Sequence, residues 1–101
     1  MPRSLSYEKF EASLENLRPP DGLSLPLQAL WYAGKNDWYK AHELADAQEE
    51  GGGAWVHAYL HRWEGDEWNA KYWYNRAQKQ VFNGSLKAEW TQISKSLLGD
   101  S

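Results

Sequence analysis

The chain has 101 residues, which is enough for one domain, residues 1–101, with a modest hydrophobic core. Its net charge of −3 argues against nucleic-acid binding, and the absence of Cys excludes disulfides and thiolate metal sites. We find no apolar run long enough for a membrane span or a secretory signal, so we predict a soluble, cytoplasmic protein without membrane contact.

Apolar residues at helical spacing predict helices throughout the chain and no strand. A first flanking helix covers about 5–17 and ends before the prolines of RPPDG. A second helix starts at Ser24, and a third covers WYKAHELADAQEE after a turn at Asn36-Asp37. These two helices form a hairpin unit at about 24–49, and the glycines 51–53 follow as a flexible joint.

A second hairpin unit is predicted at about 54–81. Its helices are AWVHAYLHRWE, which stops at Gly65, and EWNAKYWYNRAQKQV, which Asp66 caps. Ser85 caps a last flanking helix at about 85–98, and residues 99–101 form a frayed end. The predicted fold is therefore all-α, with about six short antiparallel helices that form stacked helical hairpins.

The two hairpin units repeat one another, since Ala29 and Ala41 of the first align with Ala58 and Ala70 of the second. Gly65-Asp66 followed by Ala70, Trp73-Tyr74 and Ala77 resembles the tetratricopeptide repeat and its Sel1-like variant over roughly residues 24–80. The units are shorter than in either class, and His57 and His61 stand where the family has large apolar residues. The same region is also similar to a group of small proteins containing AWVHAYLHR and YWY, which implies no function.

The repeat resemblance implies a TPR-like, non-catalytic module that binds a protein or peptide or supports assembly. Family grooves are lined by the first helix of each hairpin, which by position implies contacts from Trp55, Tyr59, Arg62 and Trp63. Arg62 lies within an apolar arc, where a cation requires an aromatic face or a carboxylate. That carboxylate belongs either to a ligand or, with equal weight, to the chain itself, at Glu64, Asp66 or Glu67.

Trp68 and Tyr72 lie on a second apolar face of the fifth helix. They either pack under Trp90 or form an exposed patch that binds a partner, since Trp and Tyr are typical interface anchors. A homodimer, or a structural homo-oligomer held by Trp68, Tyr72 and Trp90, is a further possibility.

The histidines suggest a different function. His57, His61 and Glu64 share one arc of the fourth helix at i, i+4 and i+7, and His42 on the third helix would be a further ligand. Two such histidines with a carboxylate one turn away are a possible 2-His-1-carboxylate set for a divalent metal such as zinc. The competing interpretation makes both histidines core residues that bond a Tyr, Asp66 or a carbonyl.

Known catalytic motifs are missing from the chain. It has no Cys nucleophile, no glycine-rich phosphate loop and no Ser in a nucleophile elbow. The favoured interpretation is therefore a binding module without a cofactor. The alternative is a small-ligand- or metal-binding protein, an enzyme included, that uses His42, His57, His61 and Glu64.

Overall fold

A computed structural model describes residues 5–99 of the chain. Within this range the chain forms six α-helices, one short 3-10 segment and no strand, which confirms the all-α prediction. The helices are α1 Tyr7–Ala12, α2 Leu25–Gly34, α3 Trp38–Asp46, α4 Gly52–Trp63, α5 Glu67–Ala77 and α6 Leu86–Leu98, with the 3-10 segment at Ser13–Glu15.

Side-chain caps determine where four of these helices begin. A side-chain oxygen at the N-cap accepts a hydrogen bond from the backbone N–H three residues later, which satisfies a donor that the helix leaves unpaired. The four caps are Ser6 of α1, Asp37 of α3, Asp66 of α5 and Ser85 of α6. Asp66 and Ser85 are caps that the sequence predicts, and Asp37 lies in the predicted turn at Asn36-Asp37.

Three helices end earlier than predicted. Helix α1 gives way to the 3-10 segment after Ala12, and α3 ends at Asp46 instead of continuing through Glu50. Helix α5 ends at Ala77 because Gln78 takes the left-handed conformation, with φ of 59°, and caps the last turn. Gly99 ends α6 in the same conformation, whereas the rest of the predicted frayed end lies outside the described residues.

The prediction of a flexible joint at residues 51–53 is wrong for two of its three glycines. Gly51 makes the turn with φ of 59°, but Gly52 and Gly53 already belong to α4. A Cβ atom on Gly53 would lie 1.9 Å from the backbone oxygen of Gln48, so glycine is required there by close packing. The Gln48 side chain in turn accepts a hydrogen bond from the Gly53 N–H at 3.1 Å.

Helix α4 lies at the centre of the fold and contacts α2, α3, α5 and α6. It is buried from Gly53 to Leu60, because apolar residues surround most of its circumference. The pairs α2–α3 and α4–α5 make the most extensive contacts, as expected for stacked helical hairpins. Ala58, Ala70 and Ala77 are buried, and such small side chains allow close approach of helices. Within residues 5–99, no helix has the length and apolar character needed to cross a membrane.

Helix α6 closes the core, and its Trp90 is buried there. The Trp90 ring packs against Tyr7 and stacks on Phe10, and its indole N–H donates to the Leu30 carbonyl at 2.8 Å. Trp90 is therefore a core residue. The interpretations that place Trp90 over Trp68 and Tyr72, or in an interface between subunits, are wrong.

Candidate metal centre

All three histidines of the chain come together where α3 packs against α4. Each offers one ring nitrogen, and these nitrogens lie within 4.8 Å of one another. Nε2 of His42, from α3, shares a hydrogen bond of 2.9 Å with Nε2 of His57, from α4. His61 follows one turn after His57, so its ring lies on the same side of α4.

Two indole rings hold the imidazoles in place. Trp38 stacks on His42 with ring centroids 4.8 Å apart, and Trp73 of α5 stacks on His57 at 3.9 Å. The His61 ring stacks on the His57 ring, with centroids 4.9 Å apart and the two planes nearly parallel. The Trp38 indole N–H donates to the Leu60 carbonyl at 2.9 Å, which fixes that ring. The cluster is thus supported by three helices.

Carboxylates flank one side of the cluster. Nδ1 of His61 lies 2.8 Å from Oε2 of Glu64 and 4.0 Å from Oδ2 of Asp66. Asp66 is itself fixed, because its other contacts are bonds from the backbone and side-chain nitrogens of Asn69. Since Glu64 bonds Nδ1, the nitrogen of His61 left for a metal is Nε2. The arrangement therefore differs from the predicted 2-His-1-carboxylate set. The three imidazoles form one possible ligand group, and His61 with Glu64 and Asp66 forms a second, in which Nδ1 of His61 meets the carboxylates. In the first group Glu64 would support His61 from the Nδ1 side.

The environment favours the neutral form of His42 and His57. His57 is 3% exposed, and burial, followed by the charges of His42 and His61, lowers its pKa to about 4. Burial and the charge of His61 also lower the pKa of His42. Neutral imidazole is the form that binds metals, so these two rings need to lose no proton at neutral pH.

His57 is not the satisfied core residue of the competing interpretation. Its Nε2 shares a hydrogen bond with His42, and not with a Tyr, Asp66 or a carbonyl. Its Nδ1 is buried and has no hydrogen-bond partner among the described residues. An unpaired buried polar atom costs free energy, and such atoms are uncommon outside functional sites.

The residues predicted to line a groove lie on the opposite side of α4. Trp55 and Tyr59 are buried, and Trp63 is half-buried. Trp55 borders a cavity shared with residue Gln92 of α6, and Lys79 covers its ring at 4.2 Å. Burial and the charge of Glu89 raise the pKa of Tyr59 to about 12. Helix α6 therefore occupies the side of α4 that the repeat resemblance assigns to a ligand.

Arg62 forms an ion pair with Glu89, a carboxylate that was not among the partners predicted from the sequence. Its Nε donates to Oε1 of Glu89 at 2.9 Å, and its Nη2 donates to the Gly84 carbonyl at 2.9 Å. Glu89 is 1% exposed, and its other oxygen accepts a hydrogen bond from the Tyr74 hydroxyl. The expected internal partners were Glu64, Asp66 or Glu67. A signal existed, since Glu89 interrupts the apolar stripe of α6 beside Trp90.

Trp68 and Tyr72 lie on the solvent side of α5. Trp68 is 77% exposed and Tyr72 is 46% exposed, so both are free to meet a partner. Arg76 follows one turn later and donates to the Tyr72 hydroxyl at 3.3 Å. Of the two interpretations of these aromatic residues, the structure agrees with an exposed patch.

Comparisons with protein-family models, with curated proteins and with solved structures found no match for the chain. The resemblance to tetratricopeptide and Sel1-like repeats therefore stays a prediction. A function for this chain has to be argued from its own residues.

Proposed function

We propose that the chain binds one divalent transition-metal ion through His42, His57 and His61. The observation that carries this proposal is the convergence of every histidine of the chain, from two different helices, on one point. Imidazole nitrogen suits zinc, copper, nickel and cobalt, and zinc is the ion for which we design the test. A cytoplasmic location is part of the proposal.

The distance between the His42 and His57 nitrogens is close to the spacing of two ligands in a metal site, and the His61 ligand nitrogen lies within 4.8 Å of both. Zinc binds imidazole nitrogen at about 2.0–2.1 Å, so two nitrogens in a tetrahedral site lie roughly 3.4 Å apart. The Nε2 atoms of His42 and His57 are 2.9 Å apart, held by a single shared proton. A metal ion would take the place of that proton, which would move to Nδ1 of the ring that carries it, and the two rings would move slightly apart.

The surroundings also favour a cation. Asp46 lies close enough to raise the pKa of both His42 and His57 against the larger effect of burial. Glu64 supports His61 from Nδ1, as carboxylates do behind many metal-binding histidines. These acidic groups offset the charge that an ion would bring to a partly buried place.

Calorimetric titration of the metal-free chain with zinc tests this function. We expect one zinc ion per chain, and we expect His42→Gln to weaken binding by more than about 100-fold, beyond the loss that outer-shell changes cause. Glu43→Gln is the matched control on α3, because Glu43 is exposed and not part of the cluster. Equal zinc affinity of the wild type and His42→Gln would place any bound ion elsewhere and refute the proposal.

A second candidate function is assembly, with a second copy of this chain as the partner. It is favoured by the solvent side of α5, where exposed Trp68 and Tyr72 stand beside the cations Lys71 and Arg76. Arg76 already pairs with Glu50 of its own chain at 3.8 Å, and a second copy would offer further negative charge at the exposed acidic residues Glu43, Asp46 and Glu49. Trp, Tyr and Arg are also the residues that contribute most to interfaces.

Light scattering across a dilution series tests the assembly proposal. We expect the apparent mass to fall from dimer to monomer on dilution, and Trp68→Ser to shift this transition to higher concentration. Leu17→Ser is the control, since Leu17 is 94% exposed and far from α5 in sequence. A monomer at every concentration would refute self-assembly and leave a separate protein or peptide as the partner to seek.

A further inference from the structure

We infer that the metal ion proposed above keeps one coordination position open, where it binds water or a small monoanion such as azide or acetate in exchange. The inference rests on the proposed function, and it adds the class of ligand that the centre would take. It follows from the number of available ligands, from the positions of the carboxylates and from the exposure of the imidazoles.

The chain supplies three imidazole ligands and has no fourth His and no Cys. All its histidines are already in the cluster, and it contains no Cys. Zinc and cobalt take at least four ligands, and sites with three protein ligands hold water or substrate in the fourth position. A fourth protein ligand would have to be a carboxylate.

Two nearby carboxylates point to the wrong side of the cluster. Glu64 bonds Nδ1 of His61 at 2.8 Å, and Asp66 is 4.0 Å from the same nitrogen. The two nitrogens of an imidazole face away from each other, so a carboxylate at Nδ1 is directed away from an ion at Nε2. Asp66 is also held by Asn69, whose side-chain nitrogen lies 2.6 Å from its oxygen.

Asp46 is the remaining competitor. It is exposed on the last turn of α3, one turn after His42, and its charge acts on His42 and His57. No hydrogen bond ties its carboxylate to the cluster among residues 5–99. Asp46 is therefore the residue to change when the open position is tested.

The cluster has a buried and a partly exposed side. His57 lies on the buried side, whereas His42 and His61 are half-buried. The hydrogen bond between His42 and His57 is partly buried. An ion bound there would have His57 on its buried side, and the open position would lie on the side of His42 and His61.

Cobalt(II) absorption spectroscopy of the full chain tests the inference, because the visible bands of cobalt report its ligands. We expect the cobalt-loaded protein to change its spectrum saturably when azide is added at constant ionic strength. Asp46→Asn, loaded to the same cobalt occupancy, should show the same saturable change. Bound cobalt whose spectrum ignores azide would overturn the inference while leaving the proposed metal binding intact. If azide acts only on Asp46→Asn, Asp46 fills the position and the inference is equally overturned. Failure to bind cobalt or zinc would remove the proposed function itself.

Discussion

The metal-free protein should lose about 3 kcal/mol of unfolding free energy through His57 as the pH falls from 6.5 to about 4. The pKa of His57 is near 6.5 in the unfolded chain and about 4 in the folded protein. Between these values the unfolded chain binds more protons, so acid favours unfolding. Above pH 6.5 both states carry a neutral His57 and this dependence vanishes, and below pH 4 the loss is complete.

Denaturation by urea, in buffers with a chelator, measures this loss at pH 6.5 and pH 4. His57→Phe is the comparison, because Phe keeps an aromatic ring against Trp73 and cannot take up a proton. We expect the variant to lose about 3 kcal/mol less than the wild type over this interval. Carboxylates contribute to both proteins alike, so an identical loss in the two would show that burial does not hold His57 neutral.

Replacing Arg62 by Met should destabilise the protein by about 3–5 kcal/mol, the usual cost of leaving a buried charge without its partner. Glu89 is 1% exposed, and its carboxylate depends on Arg62 and the Tyr74 hydroxyl for neutralisation and hydrogen bonding. Met preserves the apolar stem of the arginine, so the effect isolates the guanidinium. Chemical denaturation at neutral pH measures it.

The ion pair between Lys87 and Glu11 is the matched control for Arg62. It has a similar length, 3.0 Å, but its side chains are 65% and 44% exposed, so Lys87→Met should cost less than about 1 kcal/mol. The double variant Arg62→Met, Glu89→Gln should recover part of the unfolding free energy that Arg62→Met loses. The second substitution removes the buried negative charge that has lost its partner. Similar costs for Arg62→Met and Lys87→Met would contradict a structural role for the buried pair and reopen the predicted ligand contact of Arg62.

Only part of the candidate metal centre could be predicted from the sequence. His57, His61 and Glu64 could be placed on one arc, because the helical period relates residues within one helix. The same reasoning could not predict that the Glu64 carboxylate forms a hydrogen bond with Nδ1 of His61. The stacking of Trp38 and Trp73 on the histidines was missed as well, although Trp38 lies four residues before His42.

It was harder to predict which side of a helix packs against a neighbouring helix. Trp55, Tyr59 and Arg62 were assigned to an open groove by position in a repeat, but α6 packs on that side of α4. A repeat template describes the two helices of one hairpin. It does not predict where the helix after the hairpin packs. The contact of Arg62 with Glu89 spans 27 residues, and no local pattern specifies such a distance.

What the sequence by itself determined about this protein is local: the number and order of its helices and their capped beginnings at Asp66 and Ser85. Caps, turns and helical periodicity act between residues at most four positions apart, so the sequence shows them directly. Only the tertiary structure decided that His42 joins His57, that Glu89 neutralises Arg62 and that Trp68 stays exposed while Trp90 is buried. These outcomes depend on how whole helices pack, because side-chain shape and close packing select one arrangement among several that the same periodicity allows.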